Sequence, residues 1–348
     1  MILAAGLTPA WQQILVFDAF TPGEVNRARE VHWCGSGKVL NVGLALAQLN
    51  CRALSSDDQN RSAGGPPVAP SATDNPATTD TDPSIDSMTL APLGGPAFAA
   101  IEAEFAELNV PRRWIGTSAP TRICTTILDS RSGRTTELVE NARSLPSADL
   151  DAFRQAYAEE AARAEVIVLS GSLPAGTPIS FYRDLLSRSP GSTHGAAGPP
   201  KVILDARGPE LLAALECRPY VVKPNREELG QTVGRPLTSD KELRAAMREL
   251  NQRGAEWVVV SQGKSSVWVS SRDVFRQLHP PAVEVVNPIG SGDCLAAGIA
   301  AATSRSEDML AAVRYGMACA ALNATQLLPS RLDPREVESW LRKVKAEG

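Results

Sequence analysis

One run in this 348-residue chain joins residue types that could do chemistry at a useful spacing: Asn287-Pro288-Ile289-Gly290-Ser291-Gly292-Asp293, followed by the small-residue stretch CLAAGIAAAT. The β-branched residues Val283–Val286 predict a strand leading in, and the small residues predict a helix leading out. Two glycines let the backbone turn so that several N–H groups share one space at the helix start. Aligned peptide dipoles add positive charge there, which suits a phosphate or charge developing on one. Asp293 then falls in the first helical turn, where a carboxylate could take the proton of an attacking hydroxyl while the N–H groups hold a transferred phosphoryl. The plainer use of Asp293 is as a helix cap.

Two other segments offer polar groups at helical spacing. In Lys223-Pro224-Asn225-Arg226-Glu227-Glu228, Asn225 and Glu228 lie three apart and share a helix face. Glu228 could organise Mg²⁺ through water, because that ion keeps most of its hydration shell. The pair also reads as an Asn N-cap with Glu at N3, and both uses are compatible. In Gly35-Ser36-Gly37-Lys38-Val39-Leu40-Asn41-Val42, which opens a helix running to Leu49, Lys38 and Asn41 point a cation and an amide the same way. Such groups recognise polyols and phosphates, or simply sit in solvent at a helix start.

Spacing excludes the better-known phosphate motifs. Gly37-Lys38 is followed by Val39, where a Walker A loop requires Ser or Thr. The dinucleotide pattern fails at Leu40 and again at Leu295, and no G-x-S-x-G elbow is present. Six cysteines without a C-x-x-C pair and three scattered histidines leave no zinc pattern.

The elements that must position these groups follow a rhythm. Ile2–Leu7, Val166–Leu169, Val202–Leu204, Tyr220–Val222 and Trp257–Val260 are short apolar runs, the later ones separated by amphipathic stretches. That alternation predicts a parallel sheet covered on both faces. Ser170-Gly171-Ser172, Asp205, Lys223-Pro224-Asn225 and Ser261-Gln262-Gly263 follow successive runs, at the carboxyl ends where open α/β sheets bind ligands. Asp333-Pro334 is an N-cap with N1 proline for the last helix. Ile14–Phe17 and Glu30–Trp33 flank a turn at Thr21-Pro22-Gly23, so residues 11–33 form either a small lid or an edge hairpin.

Net charge is −4, against a general nucleic-acid or anionic-membrane binder. Residues 55–87 hold six Asp and one Arg and no aromatic, which predicts a disordered acidic, proline-rich insertion; Ser187–Pro200 is a shorter loop. No apolar stretch approaches the ~20 residues of a membrane span, and the first residues lack a basic leader. A reduced, cytoplasmic setting is expected.

Taken together in this order, the Gly-Lys/Asn segment, Lys-Pro-Asn-x-x-Glu and Gly-Ser-Gly-Asp resemble the ribokinase-like sugar kinases of the phosphofructokinase-B type. The likeness is greatest to the branch containing 1-phosphofructokinase and tagatose-6-phosphate kinase. Pro22-Gly23-Glu24-Val25-Asn26-Arg27, Gly94-Gly95, Thr121-Arg122, Ser170-Gly171-Ser172-Leu173-Pro174 and Ser261-Gln262-Gly263 support it. The resemblance implies one kinase domain over 1–348: a three-layer α/β/α sandwich with a mostly parallel central sheet and a small β-strand lid at 11–33.

It further implies ATP- and Mg²⁺-dependent phosphorylation of a hexose phosphate of the fructose 1-phosphate, fructose 6-phosphate or tagatose 6-phosphate type. A free sugar or a nucleoside as acceptor, or a non-catalytic binding homologue, are the alternatives. By resemblance Asp293 is the base and Gly290, Ser291 and Gly292 the anion hole. Lys223, Asn225, Glu228, Ser261 and Gly263 lie on the nucleotide side, with Glu228 reaching the metal through water. Gln12, Arg27, Gly37, Lys38, Asn41 and Arg122 fall on the substrate side, and Arg27, Arg29, Lys38 and Arg122 together would suit a phosphosugar. Such lids mediate homodimers.

Two departures fall on the substrate side. The branch places Asp where this chain has Gln12, turning a pure acceptor into an amide with donors. The family's Gly-Gly-Lys-Gly reads Ser36-Gly37-Lys38-Val39, so a left-handed conformation required at the last position would strain Val39.

Overall fold

The computed structural model describes residues 1–50, 86–187 and 199–346. The acidic insertion therefore lies outside the described residues save for its last two, the exposed Asp86 and Ser87, the buried first residue of a strand. Most of the Ser187–Pro200 loop lies outside them as well.

In chain order the first elements are β1 (Ile2–Ala5), β2 (Ala10–Phe17), β3 (Glu30–Ser36), α1 (Lys38–Asn50), β4 (Ser87–Leu93), α2 (Ala97–Glu107) and β5 (Arg112–Gly116). Next come β6 (Arg122–Asp129), β7 (Arg134–Val139), α3 (Ser147–Ala161), β8 (Val166–Ser170), α4 (Phe181–Ser187), β9 (Lys201–Asp205) and α5 (Gly208–Ala214). The chain continues through β10 (Val221–Val222), α6 (Arg226–Thr232), α7 (Asp240–Arg253), β11 (Trp257–Ser261), β12 (Val267–Ser270) and β13 (Phe275–His279). It closes with α8 (Ser291–Ser304), α9 (Met309–Ala324), α10 (Pro334–Leu341) and β14 (Lys345–Ala346).

The large sheet has the order β14-β13-β12-β11-β10-β9-β8-β1-β4-β5 and is parallel from β5 to β11. Alternation along the parallel strands sorts their side chains into two layers. Ile2, Ala4, Val166, Val168, Ile203 and Val259 pack with α8 and α9 on one face. Leu3, Ala5, Ile167, Leu169, Leu204 and Val258 pack with α3, α5 and α7 on the other. This is the expected three-layer sandwich. Small residues let α8 and α9 approach closely: a Cβ on Gly298 would lie 2.5 Å from the Gly316 Cα. Among the described residues no helix is long and apolar enough to cross a membrane.

The lid is larger than residues 11–33. It is a four-stranded sheet in the order β3-β2-β6-β7, with β2 and β3 antiparallel as expected and β6 added parallel to β2. Its inner residues Ile14, Val16, Cys34 and Leu128 pack on Leu327 and Leu328 of the main body. Glu104 of α2 ties β3 to the body by accepting the Gly35 N–H and pairing with Arg331.

Val283–Val286 is not a strand. The sheet edge beyond β11 is taken by the antiparallel run β12-β13-β14, so this β-branched segment has no strand to join. Its Val286 N–H is satisfied by the Ala324 carbonyl at the end of α9, and Val285 and Val286 stay about half exposed.

Candidate active site

Strand ends and helix starts converge at one place. Gly290 caps α8 in the left-handed region (φ +82°), where a Cβ would lie 2.9 Å from that of Pro329, so glycine is required by both conformation and space. The Ser291 N–H is spent on the Pro288 carbonyl and that of Cys294 on the Gly290 carbonyl. Among the described residues the N–H groups of Gly290, Gly292 and Asp293 meet no acceptor, so free donors lie on either side of the Ser291 amide at this turn. Asn323 braces this turn: it is fully buried, and its amide donates to the Ile289 carbonyl and the Ser291 Oγ.

Asp293 is 7% exposed and accepts from Asn41 Nδ2 at 2.7 Å. Its carboxyl is pushed up to about 6, first by burial and then by the charge of Asp205, against the pull of Lys38, Asn41 and Lys223. Among the described residues the Asn41 Oδ1 is buried without a partner. The sequence placed the two residues in separate segments; α1 and α8 bring them into contact.

Asp205, at the end of β9, organises the opposite side. It is fully buried, with Lys38 Nζ at 2.8 Å from one carboxylate oxygen and Lys223 Nζ at 2.9 Å from the other. Burial alone would raise its carboxyl, but Lys223 and Lys38 hold it below its ordinary value. Lys38 also reaches Glu228 at 3.3 Å. Burial would lower its ammonium, yet Asp205, Glu228 and Asp293 keep it above its ordinary value. Lys38, expected on the substrate side, thus reaches across the site. Sequence reading noted Asp205 as a strand end without giving it a role, because both of its partners come from distant segments.

Asn225 and Glu228 form the capping box of α6 in both directions, at 2.8 and 2.9 Å. Asn225 also bridges to Ser261, and Gly263 turns in the left-handed region just beyond. A Cβ on Gly292 would lie 3.7 Å from Lys223 Nζ, so the nucleotide-side residues adjoin the start of α8.

The residues expected on the substrate side lie around the Gly37 turn and in the lid. Gly37 (φ +82°) sits against the Thr8 carbonyl, which also accepts from Arg122 at 3.2 Å. The left-handed glycine of this segment is Gly37; Val39 is an ordinary buried residue of α1, so the feared strain does not arise. Gln12 is buried in β2 and donates to Thr126 Oγ1 at 2.8 Å. Arg27 is exposed on the turn between β2 and β3, and Arg29 is paired with Asp18 and Glu30. Of the four expected cations, Lys38 and Arg122 adjoin the Gly37 turn, while Arg27 and Arg29 lie on the exposed segment between β2 and β3.

Residues 84–334 match the pfkB family of carbohydrate kinases. The fold is shared with phosphofructokinase-2 from Escherichia coli, solved in complex with potassium: TM-score 0.77 at 22% identity, over 98% of this chain and 99% of that one. The same enzyme in complex with fructose-6-phosphate aligns with TM-score 0.76 at 22% identity, over 98% and 99%. A Thermotoga maritima protein described as a possible 1-phosphofructokinase aligns with TM-score 0.80 at 18% identity, over 100% and 99%. The chain belongs to the pfkB family and is accordingly a phosphotransferase acting on a sugar hydroxyl.

Proposed function

We propose that this chain transfers the γ-phosphoryl group of ATP to a hydroxyl of a hexose phosphate of the fructose 1-phosphate, fructose 6-phosphate or tagatose 6-phosphate type. The observation that carries this is Asp293: a carboxylate tuned to about 6, held by Asn41 and set beside two free N–H groups at a helix start. A base poised near neutral pH accepts the acceptor's hydroxyl proton as the new O–P bond forms. The Gly292 and Asp293 amides then hold the equatorial oxygens of the transferring group, and the Lys223 and Lys38 ammoniums offset its charge. Asn225, Ser261 and Gly263 line the nucleotide side.

Mg²⁺ favours hard oxygen donors and retains water, and Glu228 beside Asp205 fits it. When bound, it would neutralise charge on the nucleotide's phosphates. Arg122, which donates to the Thr8 and Glu140 carbonyls, is the cation that would receive an acceptor phosphate in this reading. Because Arg29 is paired with Asp18 and Glu30, a free sugar or nucleoside is the second reading. The phosphofructokinase neighbours favour the first, including the fructose-6-phosphate complex.

ADP release should be measured against the three hexose phosphates, free hexoses and nucleosides. A hexose phosphate is expected to give kcat/KM at least about 100-fold above any free sugar, since a paired phosphate–Arg contact contributes roughly 3 kcal/mol. Equal or better turnover of a free sugar or nucleoside would replace the first reading with the second, and ADP release from none would reject both.

We further propose a homodimer through the outer face of the lid. Trp33, Val31, Ile123 and Leu138 are each about half exposed there, and Trp11 stacks on Trp33 with centroids 6.0 Å apart. Exposed apolar sheet faces of this kind are covered by partners. Phosphofructokinase-2 from Escherichia coli has itself been solved in a tetrameric inhibited form. A cytoplasmic setting accords with buried free thiols such as Cys34, Cys294 and Cys319.

A further inference from the structure

Lys38 stands in an unusual electrostatic position. The site gathers three carboxylates, Asp205, Glu228 and Asp293, around two ammoniums, Lys38 and Lys223. Asp205 and Lys223 are 1% and 4% exposed and come from adjacent strand ends, so they form a fixed pair. Lys38 is different. It is a third exposed, it opens a helix on the N-terminal segment, and the left-handed Gly37 precedes it. Its Nζ is within hydrogen-bond distance of Asp205 Oδ1 and Glu228 Oε1 together, at 2.8 and 3.3 Å. It therefore occupies the point from which one hydrated divalent cation would face both carboxylates. The lysine side chain is a compact charge on a flexible four-carbon stem, able to swing out while the carboxylates stay on their own elements.

We propose that Lys38 is an internal counter-ion that competes with the divalent cation for Asp205 and Glu228, so that the nucleotide-free protein takes metal weakly. Nucleotide phosphates relieve the competition by drawing the ammonium toward themselves, and the metal site opens only then. Two cations cannot share the position, because an ammonium and a divalent ion a few ångströms apart repel strongly even at the higher effective dielectric near a protein surface. The inference rests on the reading of Glu228 as a metal-holding carboxylate.

The test is Mn²⁺ binding to the full-length, nucleotide-free protein, followed by electron paramagnetic resonance of the free ion. Lys38→Met is expected to bind Mn²⁺ at least about tenfold more tightly than wild type, a modest share of the repulsion removed. Lys38→Arg, which keeps the charge, should stay as weak as wild type. Adding Asp205→Asn or Glu228→Gln to Lys38→Met should abolish the gain. As a second readout, Mg²⁺ should raise the Tm of Lys38→Met more than that of wild type, since ligands that bind the native state stabilise it by mass action. Should Lys38→Met not fold, Lys38→Gln answers the same question. Unchanged or weaker Mn²⁺ binding in the neutral variant overturns the proposal, as does a gain insensitive to Asp205 and Glu228. None of these measurements depends on turnover, so failure of the kinase reading shows separately, as absence of ADP release from wild type.

Discussion

Asp293 illustrates how one buried carboxylate sets opposing demands on stability and activity. Its carboxyl stands at about 6 in the folded protein against an ordinary 3.8, chiefly through burial. A base works only when ionised, so kcat should rise as pH passes up through about 6 and level off above it. Stability runs the other way. The native state binds this proton more tightly than the unfolded chain, so the contribution is full below about pH 4 and is lost as pH rises through about 6. Asp293→Asn keeps a neutral, hydrogen-bonding side chain. At neutral pH it should therefore be more stable than wild type, by about 3 kcal/mol. Its kcat should fall by at least about 100-fold with nucleotide binding retained. Calorimetry and steady-state kinetics check the two halves; near-normal turnover in the variant would remove Asp293 from the base role.

Elements decide which glycines matter. Gly290 and Gly292 look alike in the motif, yet only Gly290 has positive φ and a crowded Cβ position, while Gly292 is helical with open contact toward Lys223. Gly290→Ala should cost about 1–3 kcal/mol in a denaturant titration, and Gly292→Ala should leave stability unchanged or slightly higher. Equal losses in both would mean that the turn is not shaped as described. Much of this was legible beforehand, because caps and turns are local: the Asn225 and Glu228 box, the Asp333 cap and the start of α8 are each written within a few residues. Val283–Val286 shows the limit. Its residues have strand character, but a strand also needs a neighbour, and β12 occupies that edge. Strands β6 and β7 escaped notice for the converse reason, since the partner that makes β6 part of the lid is β2, more than a hundred residues earlier.

The whole molecule is a sandwich with a lid docked over one end of the sheet. Leu327 and Leu328 bear on the lid's inner face, and Asn287 holds the Leu327 carbonyl at 2.9 Å, so the segment that supports the lid also buttresses the turn before α8. The lid's outer face is apolar, with Trp33 43% exposed. Trp33→Glu places a charge in the proposed dimer contact and should convert a dimer to a monomer in sedimentation velocity. A wild-type protein that already sediments as a monomer would overturn the dimer.

By itself the sequence determined the layered α/β class, the helix caps and the glycine turn with its carboxylate, since each depends on periodicity or on neighbours a few residues away. Tertiary structure alone decided that Asn41 meets Asp293, that Lys38 crosses to Asp205 and Glu228, and that Arg29 pairs with Asp18 and Glu30. Those outcomes depend on which strand ends and helix starts the topology brings together, and electrostatic interaction follows distance in space rather than along the chain.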